Sequence, residues 1–249
     1  MRALRILLIV VVILGGLFVV ADRVAVHFAE QEVADRVKSS ENLASTPDVS
    51  IKGFPFLTQI AFGDLDDVEI GIQSYEAPTG NTTGGATTIR IDDLKARMKG
   101  VKLSLNGNTA SSATATSATG TASISYDQLL KAAKSQPTEV FTGVTAQLVS
   151  LSDGGDGKIK ADMKVTVTGI GTTTYPVLST VTVEGNTVKV HADNLPKLVV
   201  NLADSRVRSI TDFQQTINEL PGGVKLDSVQ AAKGGVDIKV KGSNVNLAG

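Results

Sequence analysis

The stretch "VSIKGFPFLTQIAFGDLDDVEIGI", Val49 to Ile72, changes character twice along its length. At one end Val49 and Ile51 alternate with polar neighbours, and at the other Val68, Ile70 and Ile72 do the same. A period of two is what strands with one apolar and one wet face require. Between them, Gly53 to Phe62 holds three of the seven Phe in the chain. Pro55 fixes its own φ and pushes Phe54 into an extended conformation. Gly53 permits a sharp turn into the segment and Gly63 a sharp turn out of it. The expectation is a rigid apolar projection set between two strands. Phe54, Phe56, Leu57, Ile60 and Phe62 then either plug one end of a sheet or line a cavity and its mouth, and both readings stay open.

Working outward, the alternation continues through Ile89-Ile91, Val101-Leu103-Leu105, Val144-Ala146-Leu148, Ile159 to Val167, Val181-Val183, Val188-Val190 and Val236-Ile238-Val240. Turn signals separate these runs, among them Asp153 to Gly157, Glu184-Gly185-Asn186 and Lys233-Gly234-Gly235. Half-apolar strands joined by short turns form antiparallel sheets, so the class is α+β with a β-meander and no βαβ alternation. Helices are expected over Asp22 to Leu43, Tyr126 to Ser135 and Ser209 to Leu220. The first carries Val26, Ala29, Val33 and Val37 at spacings of 3 and 4, a stripe of small residues with Phe28 beside it. The tract from Thr79 to Thr88 reads as a loop, and Asn81-Thr82-Thr83 in it matches a glycosylation acceptor on paper only. The Thr, Ser and Ala tract from Asn106 to Ser123 suits either a disordered linker or a small-residue strand.

The N-terminus bears on compartment. Arg2 and Arg5 precede an unbroken apolar run from Ile6 to Ala21, after which charge returns at Asp22-Arg23. Residues 1-21 therefore read as an export signal or a membrane anchor, and residues 22-249 as a single domain. Val19-Val20-Ala21 suits cleavage after Ala21, whereas the lack of Gly or Pro beyond it suits a retained anchor. Either fate leaves the remainder outside the cytoplasm by the positive-inside rule. That remainder has a net charge of −3, and no basic run is present, so nucleic acid is not an expected partner. Cysteine is absent, which removes disulfides and thiolate metal sites.

Reactive chemistry is poorly represented. His27 and His191 have no His partner at ligand spacing, so no metal site is expected. Neither a G-x-S-x-G elbow nor a phosphate-cradling Gly-Lys loop occurs. The carboxylates Asp64/Asp66/Asp67, Asp92/Asp93 and Asp153/Asp156 are placed like solvated turn acids, with Asp92-Asp93 before an expected helical turn. The chain reads as no enzyme and as needing no cofactor.

Three stretches, Val49 to Ile72, "ISYDQLL" (Ile124 to Leu130) and "ELPGGVKLDSVQAAKGGVDIKVKG" (Glu219 to Gly242), together with the exported helix, resemble the actinobacterial LmeA-like family of phospholipid-binding cell-envelope proteins. The resemblance covers essentially all of the chain after the export segment. It implies a strongly curved antiparallel sheet wrapped around a long N-terminal helix, similar to the tubular lipid-binding (TULIP, BPI-like) fold. It further implies non-enzymatic binding of phospholipid, with transfer or sensing, at the outer face of the cytoplasmic membrane. Phe54, Phe56, Leu57, Ile60 and Phe62 would then form one wall or lip of an apolar channel, and Phe28, Val33 and Val37 the opposite wall. Two alternatives stand beside it: an envelope scaffold that binds another protein over a filled Phe core, and a hydrolase accessory using Asp64, Asp66, Asp67 or Asp92.

Overall fold

The computed structural model describes residues 2–78, 88–106, 109–132, 136–195, 212–216 and 223–248. It opens with one unbroken helix, α1 (Arg2–Ser40), so the apolar run and the amphipathic segment after Asp22 are a single rod. The helix stops at Ser40 and not at Leu43. Asn42 takes φ 50°, and the Leu43 amide turns back to the Lys38 carbonyl at 2.9 Å. In its second half Asp22, Val26 and Ala34 are buried, and Ala29, Val33 and Val37 are half-buried. That is the stripe which the spacing of 3 and 4 dictates.

From the top of α1 the chain returns as β1 (Asp48–Lys52), where the Ile51 amide donates to Glu30 Oε1 at 2.8 Å. The short helix α2 (Phe56–Phe62) follows, and β2 (Asp64–Pro78) leaves from it. Next come β3 (Thr88–Asn106), β4 (Thr109–Ser125) and α3 (Tyr126–Ala132). A meander then runs through β5 (Thr138–Phe141), β6 (Val144–Asp153), β7 (Lys158–Val167), β8 (Gly171–Glu184), β9 (Thr187–Ala192) and β10 (Phe213–Thr216). Finally β11 (Lys225–Ala232) and β12 (Gly235–Ala248) rejoin the first sheet. The two antiparallel sheets have the orders β1-β2-β3-β4-β12-β11 and β10-β9-β8-β7-β6-β5.

Several expectations need correction. The helix expected over Ser209 to Leu220 is a strand where it is described: β10 pairs antiparallel with Thr187 to Val190. An edge strand leaves a row of unpaired amides and carbonyls, and pairing them outweighs a local helical spacing. Residues 209–211 and 217–220 lie outside the described residues. Helix α3 is described to Ala132, with the Ser125 hydroxyl accepting from the Gln128 amide at 3.4 Å as its cap. Every described residue of the tract from Asn106 to Ser123 is strand, with Ala115 fully buried, and residues 107 and 108 lie outside the described residues. Asp92-Asp93 lies inside β3, where Asp93 at φ 51° marks a bulge in place of a helical turn. Of the loop expected over Thr79 to Thr88, residues 79–87, including the acceptor triplet, lie outside the described residues.

The first sheet curls into a half-barrel, and the sequence of its buried residues explains how. One row across the strands is Ile51, Val68, Met98 and Ala118, and another is Leu65, Val101, Ala115 and Val245. All eight belong to one core cluster, yet the rows are three residues apart. Strict alternation would send them to opposite faces. Between the rows, the pairing skips Asp66, Gly100, Thr116 and Asn244 while the register on either side is unchanged. Gly100 and Asn244 sit there at φ 57° and 52°, and the Thr116 hydroxyl donates to the Gly100 carbonyl at 3.1 Å. A transverse line of irregular residues bends four strands together and keeps both rows facing inward. A Cβ on Gly100 would stand 2.7 Å from Thr116 Oγ1. Gly100→Ala should therefore lower the unfolding free energy by about 1–2 kcal/mol, with Gly100→Asn milder. Urea midpoints check this, and an unchanged midpoint for the alanine variant would mean that the bend does not depend on the left-handed conformation.

The apolar face of the bent sheet has two covers. Val26 and Phe56 of α1 and α2 close its base, and Ala25 and Ala29 pack beside them. The second sheet and α3 cover the other part, where Leu226, Val229, Ala231 and Val236 meet Ile159 and Tyr126. The Tyr126 hydroxyl donates to the Ala232 carbonyl at 2.9 Å. Burial, with the charges of Asp153 and Asp237, pushes its pKa above the ordinary phenol value, so it remains a donor.

Candidate functional site

Helix α2 is fastened at both ends to the base of the sheet. At its start the Leu57 amide donates to Asp22 Oδ1 at 2.8 Å, and the other Asp22 oxygen takes the Arg23 guanidinium at 2.5 Å. Asp22 has no exposed surface. A buried carboxylate is tolerated only when donors replace its water, and a helix-start amide and a guanidinium do that here. Arg23 also reaches the Gly53 carbonyl at 3.4 Å and stands 5.4 Å from the centroid of the Phe54 ring. At the far end Gly63, at φ 66°, closes the helix onto the Ile60 carbonyl, and its own carbonyl accepts from the Leu103 amide at 2.8 Å. Gly53 turns at φ 102°, and any side chain there would collide with Gln59 and Asp66. The sharp turns expected at both glycines are present. The projection between them is helical from Phe56 onward, after a cis Phe54–Pro55 bond.

The eight residues singled out in the sequence divide. Phe56 is 4% exposed and belongs to the core with Val26, Ile51 and Leu65. Phe62 is 82% exposed, Phe54 57%, and Leu57 and Ile60 36% each. The Phe-rich segment is thus core through one ring and surface through the others. Val33 and Val37 lie on the stripe of α1, whereas Phe28 is 66% exposed. Phe28 stands five and nine residues before them, which at 3.6 residues per turn places it on another face of the helix. The structure therefore does not bring Phe28 onto one wall with Val33 and Val37. Val24, one turn before Phe28, is exposed too, and so is Leu247 beside the Asn246↔Thr114 pair at the end of β12.

Sequence reading missed Asp22, Arg23, Val24 and Leu247. The only signal for the first two was the return of charge after the apolar run. For Val24 the available signal was its place four residues before Phe28, on the same exposed side of α1.

The opposite face of the same sheet carries a groove of about 430 Å³ over Ser50, Glu69, Lys95, Arg97, Thr119 and Thr121. Two of its charged residues, Glu69 and Arg97, are held in ion pairs. Arg97 Nε donates to Asp67 Oδ2 at 2.9 Å and lies 3.3 Å from Glu69 Oε1, and Lys52 pairs with Glu69 at 2.6 Å. Its hydrogen bond to the Asp67 carboxylate raises the Arg97 pKa above its usual value. Three further acids have structural partners. Asp92 pairs with Arg90 at 3.1 Å, Asp153 Oδ1 accepts from the Gly155 amide at 2.9 Å within its turn, and Asp193 pairs with Lys158 at 2.8 Å. That lysine holds the Asp193 carboxyl below the ordinary carboxylate range. His191 Nδ1 lies 2.8 Å from Asp212 Oδ2, and His27 Nε2 is 3.2 Å from Gln31 Nε2 on the exposed side of α1. The unusual surface is the apolar base, not an ionic cleft.

No curated protein and no solved structure matches the chain. A family model described as LmeA-like phospholipid-binding matches residues 20–241. The matched span starts just before the Asp22–Arg23 tether and takes in α2, the bent sheet, the second meander and the first half of β12. By that match, over most of its length, the chain belongs to the LmeA-like phospholipid-binding family.

Proposed function

We propose that this chain binds one phospholipid, without catalysing a reaction, at the outer face of the cytoplasmic membrane, and that it carries or senses that lipid in support of envelope assembly. On this reading residues 1-21 are a retained anchor continuous with the later half of α1, residues 22-249 are one lipid-binding domain, and the helix and bent sheet together form a tubular lipid-binding fold. Phe28, Phe54, Leu57, Ile60 and Phe62 meet the acyl chains as a lip, and Phe56, Val33 and Val37 stand behind it. The observation that carries the proposal is an exposed apolar base in a member of a phospholipid-binding family. Each CH₂ moved out of water contributes about 0.8 kcal/mol, so ten such groups supply roughly 8 kcal/mol before binding costs. No reactive side chain is needed for that.

The test is cross-linking of the detergent-solubilised full-length protein by an added phospholipid with a photoreactive acyl chain, with no bilayer present. Labelling within residues 28–37 and 54–62 should saturate at one lipid per chain and fall when unlabelled phospholipid competes. Labelling confined to Ile6 to Ala21, or rising linearly with lipid content, would contradict a bound lipid.

A further inference from the structure

Among the described residues beyond Val20, nine large apolar side chains are exposed: Val24, Phe28, Phe54, Leu57, Ile60, Phe62, Phe141, Ile170 and Leu247. Seven of them sit at one end of the fold. The path of the chain shows why. Helix α1 rises from Asp22, β1 descends beside it to Lys52, and Arg23 grips the Gly53 carbonyl. Helix α2 lies across that end, fixed to Asp22 at its start and to Leu103, near the end of β3, at its close. Leu247, near the end of β12, belongs to the same edge, since Asn246 and Ala248 pair with Thr114 and Ala113 at the start of β4. Only Phe141 and Ile170 lie elsewhere, in the second sheet and the turn after β7.

This end is also where the apolar run of α1 finishes. The run from Ile6 to Ala21 spans about 24 Å at a rise of 1.5 Å per residue, against ~30 Å for a hydrocarbon core. It is short by about one helical turn. Val24 and Phe28, three and seven residues beyond Ala21, carry the apolar surface on one side of α1 across the missing turn and somewhat past it, and α2 adds a ledge at the same end of the fold. Arg23, about half exposed, holds its guanidinium between Asp22 and the face of the Phe54 ring, which puts a cation at the rim of the patch, at the level where headgroup phosphates lie on this reading. A scaffold partner would also cover apolar surface, but nothing about a protein partner would require the patch to begin where the run falls short.

We infer that the base of the domain is seated in the outer leaflet, with α2, Phe54 and Phe28 immersed among the headgroups and upper acyl chains that surround the α1 span. The domain does not hang from its anchor at a distance. It stands on the bilayer, and its apolar lip opens into the leaflet from which a lipid would come. The inference rests on the anchor part of the proposed function and not on a bound lipid.

Because the chain contains no Trp, a single introduced Trp reports its own surroundings. Full-length Phe62→Trp, Val12→Trp and Ile170→Trp variants are placed in vesicles of phosphatidylethanolamine and phosphatidylglycerol with brominated acyl chains. Phe62→Trp should show blue-shifted emission, quenched more strongly by bromine near the headgroup end of the acyl chain than by bromine near its methyl end. Val12→Trp should show the reverse order, and Ile170→Trp should emit as in water without quenching. Quenching of Phe62→Trp that vanishes when the brominated lipid is diluted to one molecule per chain identifies the bilayer, not a bound lipid, as its source. A quenched Val12→Trp beside an unquenched Phe62→Trp would overturn the inference while leaving lipid binding untouched. An unquenched Val12→Trp would remove the anchor and the inference with it. Equal quenching at Phe62 and Ile170 would show adsorption without a defined face and would also overturn it.

Discussion

Phe56→Ala is expected to lower the unfolding free energy by about 3–5 kcal/mol, the range for removing a buried aromatic ring from a packed core. Total stability for a domain is commonly about 5–15 kcal/mol, so this one change removes a large share of it. Phe56 is the member of α2 that enters the core, where it meets residues from α1, β1 and β2. Its loss leaves a void that the bent sheet cannot close, because the rows around it are fixed by pairing on both sides of the bend. Phe54, two positions earlier and mostly exposed, provides the control: Phe54→Ala should cost less than about 1 kcal/mol. Chemical unfolding of the detergent-solubilised full chain, followed by circular dichroism, distinguishes the two. Equal losses would mean that the segment is anchored as a whole and not through one ring.

The double change Phe54→Asp with Phe62→Asp should have the opposite profile, leaving the fold in place and abolishing phospholipid binding. Both rings are exposed, so neither replacement opens the core. Each aromatic side chain removed from an apolar environment forfeits about 1.5–3 kcal/mol, and a carboxylate in its place adds a desolvation cost. The pair together should weaken lipid binding by at least about 100-fold. Saturable cross-linking to phospholipid should fall to background, while Ile170→Asp, at least as exposed but in the turn after β7, should leave it unchanged. Wild-type labelling by the double variant, with its fold intact, would remove this segment from the site.

Much of the fold was legible because it rests on local chemistry. The alternation in β1 and β7 corresponds to their burial residue by residue, and the turn glycines at Gly53 and Gly63 do what their position demanded. The bend was not legible. Met98 and Val101 each follow an alternating run, but the break between them has meaning only beside Leu65, Val68, Ala115 and Ala118 on neighbouring strands, where the same break recurs. The strand at Phe213 to Thr216 was hidden for a related reason, since what fixes it is the open edge of β9 and not its own apolar spacing. At the base, sequence marked the Phe cluster but could not say which ring faced inward. That choice is made by Asp22, one residue past the apolar run, which holds the start of α2. The family was legible above all from its most specific block, Val49 to Ile72, whose conformation depends on this tether.

The most direct test of lipid binding is native mass spectrometry of the full-length chain, purified from bacterial envelopes in a lipid-free detergent, followed by organic extraction. The account predicts a mass excess equal to one phospholipid per chain, recovered in the extract and absent from the Phe54→Asp, Phe62→Asp variant. A folded chain of bare polypeptide mass that also takes up no added phospholipid would contradict it.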